Sequence, residues 1–166
     1  MSAFAGQIGR ELRLAARARS DVLNPLVFLL LSITLFALAL EAFHDTTHIQ
    51  TSTGGVTLEI AGTDSVNVPA DSQLNSAGLV ARELLSRHGI ETGLKIRIEK
   101  GIPVGKGLGS SAASAAATAV ALNHMLALQL TTDQIVQAAA QGEVASSGVP
   151  HADNVAAAIL GGFTFV

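Results

Sequence analysis

Three glycines alternate through Gly105, Gly107 and Gly109, and two hydroxyls follow at once in Ser110 and Ser111. With Pro103, Val104, Lys106, Leu108 and Ala112 they form the stretch Pro103–Ala112. Glycine lets backbone N–H groups approach a ligand closely, because no Cβ intervenes. A helix starting directly behind the glycines adds unpaired amides and the positive end of its dipole. The chemistry this suits is holding phosphate. It is not the Walker loop, since no Gly-Lys-Ser/Thr follows four free positions after a first glycine. Read alone, such a turn is as often a tight connection as a phosphate site, and paired serines at a helix start serve as caps. Lys106 suits either a phosphate or solvent. Downstream, Glu143 by itself reads as a solvated helix residue, Asp153 as a helix cap and His151, beside Pro150, as a turn residue. A carboxylate joined to a hydroxyl suits octahedral Mg²⁺, which keeps several waters. His44, His48, His88 and His124 lack metal-ligand spacing and are assigned no role.

Composition narrows the classes. The chain has 166 residues and a net charge of −3, enough for one real core and without the footprint of a nucleic-acid binder. It has no cysteine, which excludes disulfides, thiolate metal sites and a cysteine nucleophile. Aromatics are 4% of the residues, too few for base-stacking platforms.

The elements that must position the loop follow from periodicity and turn chemistry. His44–Ser52 and Val56–Ala61 read as strands joined by Thr53-Gly54-Gly55 into a hairpin. Val66–Ala70 reads as a short extended piece ended near Pro69. Asn75–His88 has Leu79, Val80, Leu84 and Leu85 at helical spacing, with Gly89 as its stop. Leu94–Glu99 alternates apolar and charged residues as a half-buried strand does. Ser110–Leu128 reads as a small-residue helix. Thr131 or Thr132 with Asp133 caps another, running to about Gln141–Val144. Ser146-Ser147-Gly148 reads as a turn, Asp153–Leu160 as a short helix ending at Gly161-Gly162, and Phe163–Val166 as the start of a strand.

The first forty residues differ in character. Arg10, Arg13 and Arg17 fall on one helical face, Asn24-Pro25 breaks or starts a helix, and Leu26–Leu40 is apolar apart from Ser32 and Thr34. The run is shorter than the roughly 20 residues of a membrane span, but residues 22–43 could lengthen it. A basic flank before it points to membrane contact with the N-terminus on the cytoplasmic side. The competing reading is a buried helix.

Pro103–Ala113 resembles the second signature of the GHMP kinases. Gly142-Glu143, Ser146-Ser147-Gly148 and His151-Ala152-Asp153-Asn154-Val155-Ala156 are most similar to the homoserine kinases within that group, as are Leu38–Glu41 and His44-Asp45. The resemblance covers roughly residues 39–166. It implies the family's α+β fold, of the ribosomal protein S5 domain 2-like kind, and cytoplasmic transfer of the γ-phosphoryl of ATP to the side-chain hydroxyl of L-homoserine, toward threonine. It also implies site roles. Pro103, Gly105, Lys106, Gly107, Leu108, Gly109, Ser110, Ser111 and Ala112 would wrap the triphosphate. Ser111 and Glu143 would hold Mg²⁺. Val68, Pro69 and Asn75 would form the adenine region, and His151, Asp153 and Asn154 the amino-acid side. No catalytic base is identified.

Two departures stand out. Homoserine kinases open with a segment resembling Ala-Asn-Leu-Gly-Pro-Gly-Phe-Asp, and here Ile33–Ala37 takes its place. The family's C-terminal half, with its third signature, does not follow. The expectation is therefore a fragment, inactive or incomplete by itself, with other GHMP small-molecule kinases as a rival assignment. Residues 1–38 instead resemble the start of the haem exporter B subunit of cytochrome c maturation, through Glu11–Ala15, Asn24–Phe28 and Ile33–Phe36. That implies a membrane-anchored transport fragment carrying the kinase segment as passenger. The two resemblances meet at Leu35–Leu40 and imply a junction there, whether by fusion, recombination or misassembly.

Overall fold

A computed structural model describes residues 43–162, together with Leu30 and Thr164. The chain divides into two units, Met1–Ala42 and Phe43–Val166. The arginine face, the apolar run Leu26–Leu40 and the strand expected at Phe163–Val166 lie outside the described residues, Leu30 and Thr164 excepted. Among the described residues no helix is long and apolar enough to cross a membrane.

The second unit runs β1 (Thr46–Ser52), β2 (Val56–Gly62), a 3₁₀ turn (Ser65–Asn67), α1 (Ser76–Arg87), β3 (Gly93–Lys100) and α2 (Ser110–Met125). Then come α3 (Thr132–Gly142), α4 (Val144–Ser147) and α5 (Asp153–Leu160). β3 alternates strictly, with Leu94, Ile96, Ile98 and Lys100 buried and Lys95, Arg97 and Glu99 outward. Burying each of those apolar side chains contributes about 1.5–3 kcal/mol. The strand with the most completely buried face takes the centre, so the sheet order is β1-β3-β2.

This corrects the expected hairpin. The two strands form, but neither pairs with the other: β1 runs antiparallel to β3 and β2 parallel to it. The loop Thr53–Gly55 crosses over the start of β3. Two strand spacings, about 10 Å, lie within reach of three extended residues. Glycine makes the crossing possible, because a Cβ on Gly93 would stand 1.4 Å from the Gly54 carbonyl oxygen. Tertiary burial overrides the local turn signal.

Three local readings also change. Ser65–Asn67 is a 3₁₀ turn rather than extended chain, entered through Asp64 in the left-handed region (φ 55°), and only from Val68 is the backbone extended. Ser146 and Ser147 belong to α4, whose end is marked by Gly148 at φ 80°. α2 stops at Met125, before the expected Leu128.

One face of the sheet carries the core. Leu94, Ile96 and Ile98 join Ala77, Val80, Ala81 and Leu84 of α1, Ala112, Ala115, Ala119 and Leu122 of α2, Ala138 and Ala139 of α3, and Val155 of α5. α2 touches α1, α3, α5 and β1, so it is buried around much of its circumference. Alanine suits such a helix, combining high helix propensity with close approach. Thr118, fully buried, satisfies its hydroxyl on the Ser114 carbonyl at 2.8 Å.

Candidate nucleotide site

The glycine loop leaves the C-terminal end of β3 and delivers the chain to α2. Gly105, Gly107 and Gly109 adopt φ of 69°, 73° and 70°. Left-handed residues alternating with others make successive amides converge, a concavity suited to anions. Nothing lies within 4 Å of where a Cβ on Gly105 or Gly107 would stand, so conformation, not crowding, calls for glycine there. Residues 105–108 are exposed. Gly109 is the N-cap of α2, and no side chain caps that helix. Its first-turn amides therefore open toward the loop.

The predicted residues divide by what they touch. Ser110 turns its hydroxyl back to donate to the Ile102 carbonyl at 3.0 Å, so it braces the loop. Ala112 is buried in the core and can offer only its amide. Ser111 faces the other way and donates to Glu143 Oε2 at 3.0 Å. Glu143 reaches this place because Gly142 lets the end of α3 press on the start of α1. A Cβ on Gly142 would lie 2.7 Å from the Ser76 carbonyl oxygen and 2.8 Å from Val80 Cγ2.

Glu143 is 7% exposed, and its Oε1 is buried without a hydrogen-bond partner. Burial raises its pKa above the ordinary carboxylate value. Hydrogen bonds from Ser111 and Ser146 pull it down, the Asp153 charge pushes it up, and the His151 charge opposes that. An unpartnered buried carboxylate oxygen beside a hydroxyl is a donor set fit for a hard cation. Among the described residues no group of three or more His, Cys, Asp or Glu could hold a metal, so ligand and water oxygens must complete any such shell.

A cleft of about 210 Å³ opens beside these residues. Val68, Pro69 and Asn75 line it, with Lys100, Val104, Ser110, Ser111, Ser114 and Ser146. Asn75 works indirectly. Its Oδ1 caps α1 by accepting from the Ala77 amide at 2.9 Å, and its Nδ2 donates to the Pro69 carbonyl at 2.8 Å, fixing the cleft wall. His151, Asp153 and Asn154 are exposed and are not part of the cleft lining. Asn154 stands beside the loop's end, its Cβ 3.7 Å from the Cβ position of Gly109.

Sequence reasoning missed the residues beneath the loop. Lys100 is buried and pairs with Asp45, and it also donates to the Ser110 carbonyl and Ser114 Oγ, both at 2.8 Å. Asp64 accepts from the Val104 amide at 3.2 Å. One signal was available: the alternation that buries Leu94, Ile96 and Ile98 also turns Lys100 inward.

The profile of the GHMP kinases N terminal domain matches residues 75–162, more than half of the chain. The chain belongs to that family. Its α+β architecture is that of the GHMP-kinase N-terminal domain, as the sequence implied. Homoserine kinases resemble this GHMP-kinase domain over 130 residues, 78% of the chain. The one from Methanococcus maripaludis is 42% identical and the one from Thermoplasma acidophilum 47%. The alignments take in only 43% and 40% of those two proteins, so the chain spans about two fifths of their length. The solved homoserine kinase of Cytophaga hutchinsonii superposes with TM-score 0.66 at 34% identity, over 71% of this chain and 38% of that one. A mevalonate kinase of L. major, solved with R-mevalonate, gives 0.55 at 25% identity, over 72% and 37%.

Proposed function

We propose that residues 39–166 are the nucleotide-binding half of a homoserine kinase, an enzyme that moves the γ-phosphoryl of ATP to the side-chain hydroxyl of L-homoserine. The observation that carries this is Glu143, buried with one oxygen unpartnered, hydrogen-bonded through the other to Ser111 at the uncapped start of α2. The names of the relatives supply the substrate. Phosphoryl transfer depends on positioning and charge neutralisation more than on covalent chemistry. The loop amides from Gly105 to Gly109 and the first turn of α2 bind the phosphates. Ser111 and Glu143 hold Mg²⁺, which neutralises developing phosphate charge when bound. The wall at Val68 and Pro69, steadied by Asn75, takes the adenine. Asp153 meets the substrate ammonium, with His151 and Asn154 beside it.

Calorimetry tests this reading. Wild type is expected to bind ATP in a Mg²⁺-dependent manner, and Ser111→Ala with Glu143→Gln to lose that dependence. Equal Mg²⁺-dependent affinity in both overturns the assignment. The likeness to a mevalonate kinase keeps other small-molecule hydroxyls in view. Screening mevalonate and galactose against homoserine, in a chain completed to the relatives' length, separates them. For residues 1–38 the haem-exporter-like, membrane-anchored reading rests on the segments Glu11–Ala15, Asn24–Phe28 and Ile33–Phe36, together with the basic face and the apolar run. Recovery of the chain in the soluble fraction without detergent overturns it.

A further inference from the structure

Beneath the loop lies a carboxylate that the phosphate site does not itself explain. Asp45 precedes β1, whose register sets Thr46 opposite Glu99 and so brings Asp45 level with Lys100. Its side chain is 1% exposed. Both oxygens are used twice. Oδ1 accepts from the amides of Gly101 at 3.0 Å and Ile102 at 3.1 Å. Oδ2 accepts from the Lys100 ammonium and from Ser114 Oγ at 2.9 Å. Gly101 and Ile102 open the loop, while Ser114 and, through Lys100, the Ser110 carbonyl belong to the helix that closes it. One side chain thus ties the two ends of the loop together. The approach is built in, since a Cβ on Gly101 would stand 2.1 Å from the His44 carbonyl oxygen.

We infer that Asp45 is a positioning residue for the phosphate loop, a clip that sets the distance between its two ends and so the concavity of its amides. The inference rests on the nucleotide-site reading for its functional consequence, but the clip is observable without nucleotide. A buried ion pair by itself is weak grounds for a stabilising role, because apolar replacements are often neutral. What an apolar pair or an amide could not supply is four acceptor sites on two oxygens. An Asn at 45 has one acceptor oxygen, and its NH₂ would face either the loop amides or the ammonium.

Hydrogen exchange on the 166-residue chain, with and without MgATP, decides it. In Asp45→Asn, exchange at Gly101 and Ile102 is expected to quicken about tenfold relative to the β3 amides of Ile96 and Ile98, which is what a lost hydrogen bond to a charged acceptor amounts to. MgATP affinity should fall by a similar factor. Loop and core amides quickening together would show a merely structural pair and overturn the inference, as would unchanged loop exchange. If Asp45→Asn does not fold, Ser114→Ala removes one donor and leaves the ion pair. It should give a change of about threefold confined to Gly101, Ile102 and the affinity. A uniform change, or none, overturns the clip. A wild type that binds no MgATP refutes the nucleotide reading, and the exchange arm still decides the role of Asp45.

Discussion

α2 and α3 begin in opposite ways. α3 starts with a complete capping box: Thr131 Oγ1 accepts from the Gln134 amide at 3.3 Å, and Gln134 Oε1 accepts from the Thr131 amide at 2.9 Å. Asp133 adds a favourable charge in the first turn. α2 starts at a left-handed glycine, with no side-chain cap and no acid in its first turn. The two helices pack on each other, so the difference is not one of environment. α3 closes its own donors and is finished as a structural element. α2 leaves its donors open, beside a loop whose amides already converge. The stabilisation a cap would have given, about 1 kcal/mol, is forgone where an anion could supply it instead.

The hardest test of that contrast replaces Gly105, Gly107 and Gly109 together by Ala. Each Ala held in left-handed backbone costs about 1–2 kcal/mol, so the loop should abandon its conformation. MgATP affinity is expected to fall by about 100-fold or more. The unfolding midpoint should move little, because nothing lies within 4 Å of the Cβ positions at 105 and 107 and the nearest atoms at 109 belong to the exposed Asn154. A parallel collapse of stability, followed by thermal denaturation, would show that the loop is a structural connection after all.

Local chemistry was legible in the sequence. The extent of α1 between Asn75 and its stop at Gly89, the cap at Thr131 and the alternation of β3 are each written within a few residues, and each is where it was expected, although the capping role of the Asn75 side chain was not foreseen. The glycine loop and its serines were visible by type, but their division of labour was not. Ser110 bends back to Ile102 and only Ser111 meets Glu143, a choice made by helix phase and by where Gly142 lets α3 end. Strand pairing was misjudged because it is settled by which strand buries its face most fully, not by the turn between two neighbours. The clip was invisible for a related reason: Asp45 and Gly101 lie 56 residues apart and meet only through the β1–β3 register.

A middle-sized effect sharpens the comparison by using caps alone. Asn75→Ala removes the α1 cap and the bond that steadies Pro69, and should cost about 1–2 kcal/mol. Thr131→Ala removes the α3 cap and should cost about 1 kcal/mol. The two differ in what else they move. Asn75 lines the cleft, so its loss should weaken ATP binding beyond what the stability change explains. The start of α3 does not line the cleft, so Thr131→Ala should leave affinity unchanged. Equal effects on affinity, measured by calorimetry alongside chemical denaturation, would erase the distinction between a helix start that serves the fold and one that serves the site.

The smallest expected signal is a slope rather than a loss. Burial raises the Glu143 pKa, so the folded chain holds a proton that the unfolded chain releases near pH 4.5. Where the native state binds more protons, stability falls as pH rises. The stability of the metal-free chain should therefore be fullest below about pH 4.5 as far as this group is concerned, and decline as pH climbs through the raised pKa. Glu143→Gln keeps the shape and removes the titration, so that part of the decline should vanish and the variant should gain stability at neutral pH. Such a gain, paired with lost Mg²⁺ dependence, marks a carboxylate kept for a ligand at the fold's expense. If denaturation across pH 4–8 shows the same profile in both chains, the carboxylate is not strained in the free protein, and its open oxygen is satisfied by solvent instead.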